Sequence, residues 1–369
     1  MDARVTHRAL AKDFDWVLFG AVATVLLAGI LTLYSASRQS WSETTATYYS
    51  RQAVWMLVGF CFMTAAVVID YHRFVAFAPL IYGAALLGLI VVLVLPSQEQ
   101  TTKRWLGFGW FQVQPSELCK VATVLMLVWY VDAIKAKIRR PHFFLGVVVL
   151  VMVPLVLVLV QPDLGTAFLF VPVMFAMLYL AGSRTKYIIS LGLMGIAASP
   201  VLWHFLKDYQ KRRLVAFIKP DVDPLGWGYQ TIQSTITVGS GKFLGKGWLH
   251  GTQARLNFLP AQHTDFAFSV FSEEWGFLGA SILLGLFLLI IARSVQIALH
   301  ARDFAGNMLA GGLAAALACH ILVNIAVVVG LMPVTGFPLP FVSYGGSSLV
   351  SMMTLIGLLL NVRARSRIF

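Results

Sequence analysis

Residues 143–160 read FFLGVVVLVMVPLVLVLV, a run without a single charged side chain. An apolar stretch of roughly 18–20 residues is long enough to cross the hydrocarbon of a bilayer as a helix. Similar blocks recur near 16–36, 52–70, 73–96, 116–134, 165–181, 187–206, 266–292, 304–330 and 343–362, so the chain is expected to cross a membrane about ten times. Backbone polar groups cannot stay unpaired in lipid, which leaves helices or a closed barrel. None of the blocks alternates with the period of two that a barrel strand needs. The expected fold is therefore an all-α integral membrane protein, one polytopic domain over 1–369.

Composition points the same way. Of 369 residues, 59% are hydrophobic and 12% are charged, against roughly 25% charged in a soluble domain. A soluble enzyme, a disordered tail and a collagen-like chain are all excluded. Cys61, Cys119 and Cys319 fall inside apolar blocks without metal-site spacing and read as small apolar side chains. The N-terminal MDARVTHRALAKDFD precedes an apolar run longer than the core of a signal peptide, with no small-x-small cleavage site. It reads as a retained first span.

The net charge of +12 is first a topology signal. With the N-terminus inside, the cytoplasmic side collects Arg4, Arg8, Lys137, Arg139, Arg140, Arg184, Lys186 and Arg363, while the short outer loops hold Arg38, Arg51, Lys103 and Arg104. Both termini are thus expected in the cytoplasm, and nucleic acid is a poor inference. Residues 207–265 form the one long outer loop, rich in aromatics, glycines and basic residues. Long structured loops on a rigid scaffold tend to carry function, so the outer face is the expected working face.

Ionisable groups inside spans are costly and are functional candidates by default. Glu117 and Lys120 stand three apart on one helical face, either as a structural pair or as working groups. Asp163 in QPDLGT reads equally well as a helix cap or as a functional acid. In LNFLPAQHTDFAFSVFSEEWGFLGA (256–280), Asp265 stands where the long loop enters a span, beside His263 and Thr264. Its bland role is an N-cap. Glu273 and Glu274 follow about 12–14 Å deeper at 1.5 Å per residue, and two adjacent acids there need a structural network. The run GSGKFLGKG (239–247) can turn backbone N–H groups, Lys242 and Lys246 towards an anion. It is not a P-loop, and its bland reading is a glycine-rich turn. LMPVTGFPLPFVSYGGSS (331–348) is bent by three prolines and is expected as a re-entrant or interfacial element. No metal or nucleophile constellation stands out.

Taken together, RWLGFGWFQVQPSELCK (104–120), QPDLGTA (161–167), residues 223–279 and GLMPVTGFPLPFVSYGGSS (330–348) resemble the SEDS family of shape, elongation, division and sporulation proteins, and its elongation branch more than its division branch. The resemblance covers most of the chain, motif order included. It implies a peptidoglycan glycosyltransferase that polymerises lipid II on the outer face of the bacterial cytoplasmic membrane. It also implies Asp265 as the essential acid, with Arg104, Trp105, Glu117 and Lys120 as matched motif positions. Asp163, His263, Thr264, Ser343, Tyr344, Gly345 and Gly346 lie in the other matching segments and join the expected substrate-binding set.

The chemistry suits one base. The donor sugar leaves an α-linked pyrophosphate and ends β-linked, a single inverting displacement, and Asp265 would take the proton of the acceptor hydroxyl. Pyrophosphate leaves readily once its charge is neutralised, by Arg104, Lys242, Lys246 or Lys120 or by a divalent cation such as Mg2+ or Mn2+. The implied partners are lipid II, a class B penicillin-binding protein and other membrane proteins of the elongation complex. The rival readings are a lipid II flippase, with Glu117, Lys120, Glu273 and Glu274 along its path, and a non-catalytic scaffold.

Overall fold

The computed structural model describes residues 14–39, 48–95, 104–108, 111–219, 226, 228–256 and 258–366. Every expected apolar block carries a helix. These are α1 (Trp16–Gln39), α2 (Tyr48–Val68), α3 (Tyr71–Ala76), α4 (Ala78–Val94), α5 (Pro115–Ile134), α6 (Pro141–Val160), α7 (Leu164–Leu180) and α8 (Thr185–Phe205), then α12 (Ala267–Leu299), α13 (Phe304–Val328) and α14 (Gly346–Arg365). Six of them are long and apolar enough to cross a membrane; Ala78–Val94, Leu164–Leu180 and Thr185–Val201 are apolar but shorter. The block at 73–96 is two helices rather than one. Phe77 interrupts it and Pro79, in the first turn of α4, supplies no N–H to continue the ladder. Large apolar side chains such as Leu80, Tyr179 and Phe205 remain exposed around the bundle, the surface that lipid would cover.

α14 is the axis of the bundle and is buried on nearly every side. It packs along α2 at close range because small residues face each other there. A Cβ on Gly357 would stand 2.6 Å from the Met63 carbonyl oxygen, and one on Gly59 would stand 3.0 Å from Met353. Asn361 of α14 donates to the carbonyls of Ala66 (2.6 Å) and Val67 (3.1 Å), and so caps the end of α2.

The segment 207–265 is mostly helical where described: α9 (Asp208–Ile218), α10 (Tyr229–Ser240) and the single turn α11 (Thr252–Arg255). A short antiparallel hairpin, β1 (Leu106–Phe108) with β2 (Phe111–Val113), leads into α5.

α12 is not the plain span expected over 266–292. Gly276 breaks it, with φ 65° and ψ −166°, and such a break leaves backbone groups unpaired in apolar surroundings. The glycine-rich loop 241–247 satisfies them. Lys246 N donates to Glu273 O and Gly247 N to Glu274 O, both at 3.0 Å, while Phe277 N and Leu278 N donate to Lys242 O and Phe243 O at 2.8 and 3.1 Å. The approach is so close that a Cβ on Gly245 would lie 2.1 Å from the Glu274 oxygen. These glycines therefore serve backbone docking, and the N–H groups of Lys246 and Gly247 are spent on carbonyls instead of pointing at an anion. The segment 331–348 is helical only in its last three residues. Residues 333–339 have no regular secondary structure and helix begins only at Gly346, because Ser343 Oγ accepts the Leu339 N–H (2.8 Å) and closes a turn first.

Candidate active site

Asp265 closes a tight turn. Ala261 has φ 50°, and its carbonyl accepts the N–H groups of Thr264 (3.1 Å) and Phe266 (3.4 Å). Tyr344 N holds the His263 carbonyl at 2.8 Å, and Asn324 Nδ2 holds that of Asp265 at 3.0 Å. The N-cap of α12 is Phe266, with no side-chain cap bond. The Asp265 carboxyl is thus not consumed as a cap, which removes its bland reading.

That carboxyl faces a cavity of about 620 Å³. Tyr48, Arg51 and Trp55 of α2 line it together with Gln112 of β2 and the residues flanking the hairpin, Trp105 and Gln114. Thr264 and Asp265 meet Gly336, Pro338, Tyr344, Gly345, Gly346 and Ser348 on the remaining sides. Gly336 (φ 78°) lets the backbone pass the acid: a Cβ there would stand 3.8 Å from Asp265 Oδ2. Gly346 is required by the indole of Trp55, which leaves no room for a side chain.

Surrounding protein removes water from the Asp265 carboxyl and pushes its pKa up from 3.8 to about 6, although a hydrogen bond with Thr264 and the charges of Arg213 and Arg104 pull the other way. A carboxyl in this range is a stronger base than an ordinary aspartate and is still ionised at neutral pH. Burial lowers His263 to about 4, so its ring is neutral; it lies 4.9 Å from the Tyr48 ring.

Two arginines flank the acid. Arg104 donates to the carbonyls of Gln161 (3.4 Å) and Pro162 (2.5 Å) and lies 3.8 Å from Asp163. Arg213 of α9 reaches Val334 O at 3.5 Å and lies over the Tyr209 ring. Asp163 is the N-cap of α7: its carboxylate accepts from Thr166 N (3.1 Å) and Thr166 Oγ1 (2.9 Å), and Gln114 Nε2 lies at 3.4 Å.

The other expected residues lie elsewhere. Glu117 and Lys120 form a buried pair at 2.9 Å, with Lys120 Nζ 3.4 Å from His320 Nδ1, and neither lines the cavity. Lys246 is engaged by Glu273 at 2.5 Å and by Thr252 at 2.7 Å, and Lys242 is exposed on the same loop. Glu273 is fully buried and also accepts from Thr252 N (2.9 Å), Gln253 N (3.2 Å) and Ser240 Oγ (3.3 Å), the structural network two adjacent acids call for. Ser343 shapes the turn before α14 and presents its carbonyl to Gln52 at 3.2 Å.

A profile of the cell cycle protein family that groups FtsW, RodA and SpoVE matches residues 15–368. The chain belongs to this family. Peptidoglycan glycosyltransferase MrdB of Escherichia coli (strain K12) is 37% identical over 346 residues, 93% of this chain and 91% of that protein. The probable peptidoglycan glycosyltransferase FtsW of Geobacter sp. (strain M18) is 36% identical over 364 residues, 96% and 98% of the two chains. Among solved structures, a chain from a study of how a peptidoglycan synthase complex coordinates polymerization and crosslinking matches with a TM-score of 0.81 at 32% identity, covering 96% of this chain and 99% of that one. The chain is a peptidoglycan glycosyltransferase of the SEDS family.

Within this SEDS site, Trp105, Thr264, Asp265, Tyr344, Gly345 and Gly346 are the expected residues that line the cavity. Sequence reasoning missed Arg51, which hydrogen-bonds Tyr344, and Arg213. Arg51 carried a faint signal as a lone cation at the edge of an apolar block. Arg213, one of several basic residues in the outer segment, carried none.

Proposed function

We propose that this SEDS protein polymerises lipid II into glycan strands during cell elongation, with the cavity opening on the extracytoplasmic side of the bacterial inner membrane. The observation that carries the mechanism is the uncapped Asp265 carboxyl on the cavity wall, with its pKa raised to about 6. It accepts the proton of the acceptor hydroxyl as that oxygen attacks the anomeric carbon. Undecaprenyl pyrophosphate departs from the opposite face, so configuration inverts. Arg104 and Arg213 beside the acid, and Arg51 on the facing wall, offset the charge on the leaving group. No second acid is required to protonate so good a leaving group, in contrast to a glycosidase.

Among the described residues no group of three His, Cys, Asp or Glu converges as a metal site. Asp163 is committed to its cap and to Gln114. A Mg2+ or Mn2+ ion would thus be held largely by the pyrophosphate oxygens of the substrate, with few protein ligands, a common arrangement for magnesium. It would neutralise charge on the leaving group.

A class B penicillin-binding protein is the proposed partner, supported by the likeness to a chain of a complex that couples polymerization to crosslinking. Further membrane proteins of the elongation complex would join them. The deciding experiment is strand formation from labelled lipid II by wild type and Asp265→Asn, each with and without a partner whose transpeptidase is inactivated. Polymer from wild type alone supports the base. No polymer under any condition, with lipid II crossing liposome membranes, would put the flippase first; equal polymer from both proteins removes Asp265 from the chemistry.

A further inference from the structure

Asn324 lies on α13, a helix that contributes no residue to the cavity wall. It is 1% exposed, and its side-chain nitrogen donates to two main-chain carbonyls, Asp265 O at 3.0 Å and Phe337 O at 2.5 Å. Both neighbours are acceptors only, so the amide can face them in just one way, nitrogen first. One planar group thereby joins the turn that carries the acid to the segment that passes in front of it, where Gly336 faces the carboxylate.

The rest of the neighbourhood shows why this bridge matters. The turn 261–266 starts from a left-handed non-glycine residue, Ala261, a conformation that persists only when its surroundings enforce it. The Tyr344 N–H fixes this turn at His263, and Asn324 fixes it at Asp265 itself. Four residues along the same face of α13, His320 packs against the Phe337 ring, tilted by 52° with centroids 5.2 Å apart, and lies 3.4 Å from Lys120 Nζ, so the far side of the bridge is also held. Loss of the amide would leave two carbonyls unpaired and free the turn to relax, and a displacement of about 1 Å in a reacting group costs roughly 100-fold in rate.

We infer that Asn324 is a positioning residue for glycosyl transfer, holding the Asp265 turn and the Phe337 strap in one geometry through a single amide. The inference rests on Asp265 as the base. Its action is on turnover and not on substrate affinity, since Asn324 touches neither the cavity nor any cation beside it.

The test measures kcat and KM for lipid II, the pH dependence of kcat and the melting temperature for wild type, Asn324→Leu, Asn324→Ser and Asp265→Asn. Each full-length protein is assayed with its penicillin-binding partner. Asn324→Leu keeps the shape and removes both donated bonds, so kcat per folded molecule should fall about 100-fold with KM within about threefold. The acid limb of its pH profile should move as the carboxyl changes its surroundings. Asn324→Ser keeps one hydroxyl donor and should fall between Asn324→Leu and wild type, which decides the matter if the leucine variant does not fold. Wild-type kcat and pH profile in the folded variants, with Asp265→Asn inactive, would overturn the positioning role and leave the base intact. An active Asp265→Asn would instead overturn the base, and Asn324 with it.

Discussion

Asp265 and Glu273 stand eight residues apart at the entrance and in the first turns of α12, and the protein treats them in opposite ways. Glu273 is sealed from solvent and receives an ammonium, two N–H groups and two hydroxyls. Asp265 receives Thr264, feels two nearby arginines and opens onto a cavity. A buried carboxylate saturated with donors holds structure together, whereas one left short of donors keeps a proton affinity that chemistry can use. Burial alone does not separate the two roles; the supply of donors does.

The strongest way to break this contrast is to neutralise each acid in turn. Asp265→Asn should lower strand formation by about 10²–10⁴-fold, the usual contribution of a general base. It should unfold no earlier than wild type at pH 7.5, because the native site disfavours the ionised carboxyl. Glu273→Gln should do the reverse. The substitution removes the charge on which five donors converge. A hydrogen bond to a charged group is worth about 1.5–3 kcal/mol, so the melting temperature in detergent should drop while turnover per folded molecule stays within a few-fold. Replacing Glu273 and Lys246 together by Met should recover part of that loss.

Titration sharpens the contrast. The Asp265 pKa is raised to about 6, so a base role for it requires the carboxyl to be idle when protonated below that pH and active above it. The rate of polymerisation should climb with pH through that value, and a flat profile between pH 5 and 7 would remove Asp265 as the titrating base. Gly276→Ala comes next. It strains a φ of 65° and meets the backbone of Gly245, with an expected cost of about 1–3 kcal/mol, read as a lower melting temperature with little change in KM. The smallest effect is expected from Lys242→Gln. Lys242 is exposed and outside the cavity, so KM for lipid II should stay within about twofold; a larger rise would return the loop to pyrophosphate binding.

Much of the fold was legible because a helix in lipid is specified locally. Runs such as 143–160 and 304–330 became α6 and α13 with ends close to those expected. The exceptions follow from single residues whose consequences are not local. Phe77 with Pro79 split one block in two. Gly276 broke α12, and only the docking of loop 241–247 makes that break tolerable. The site was half legible: the segment holding Asp265 marked itself as a polar island at a span entrance, and Glu117 with Lys120 announced their pairing by spacing. At Lys246 a glycine-lysine run fits either an anion cradle or a glycine-rich turn, and only the tertiary structure reveals Glu273 as the partner of its ammonium.

By itself, then, the order of residues determined a helical membrane protein with an acid at the edge of a long polar segment, because hydropathy and helical period act over a few turns. Which acid stays free was decided in three dimensions. The cavity draws its walls from residues between Tyr48 and Ser348, and Arg213, Arg51 and Asn324 acquire meaning only from what lies across from them. Donors for a buried carboxylate come from segments distant in the chain, and no local pattern records whether they arrive.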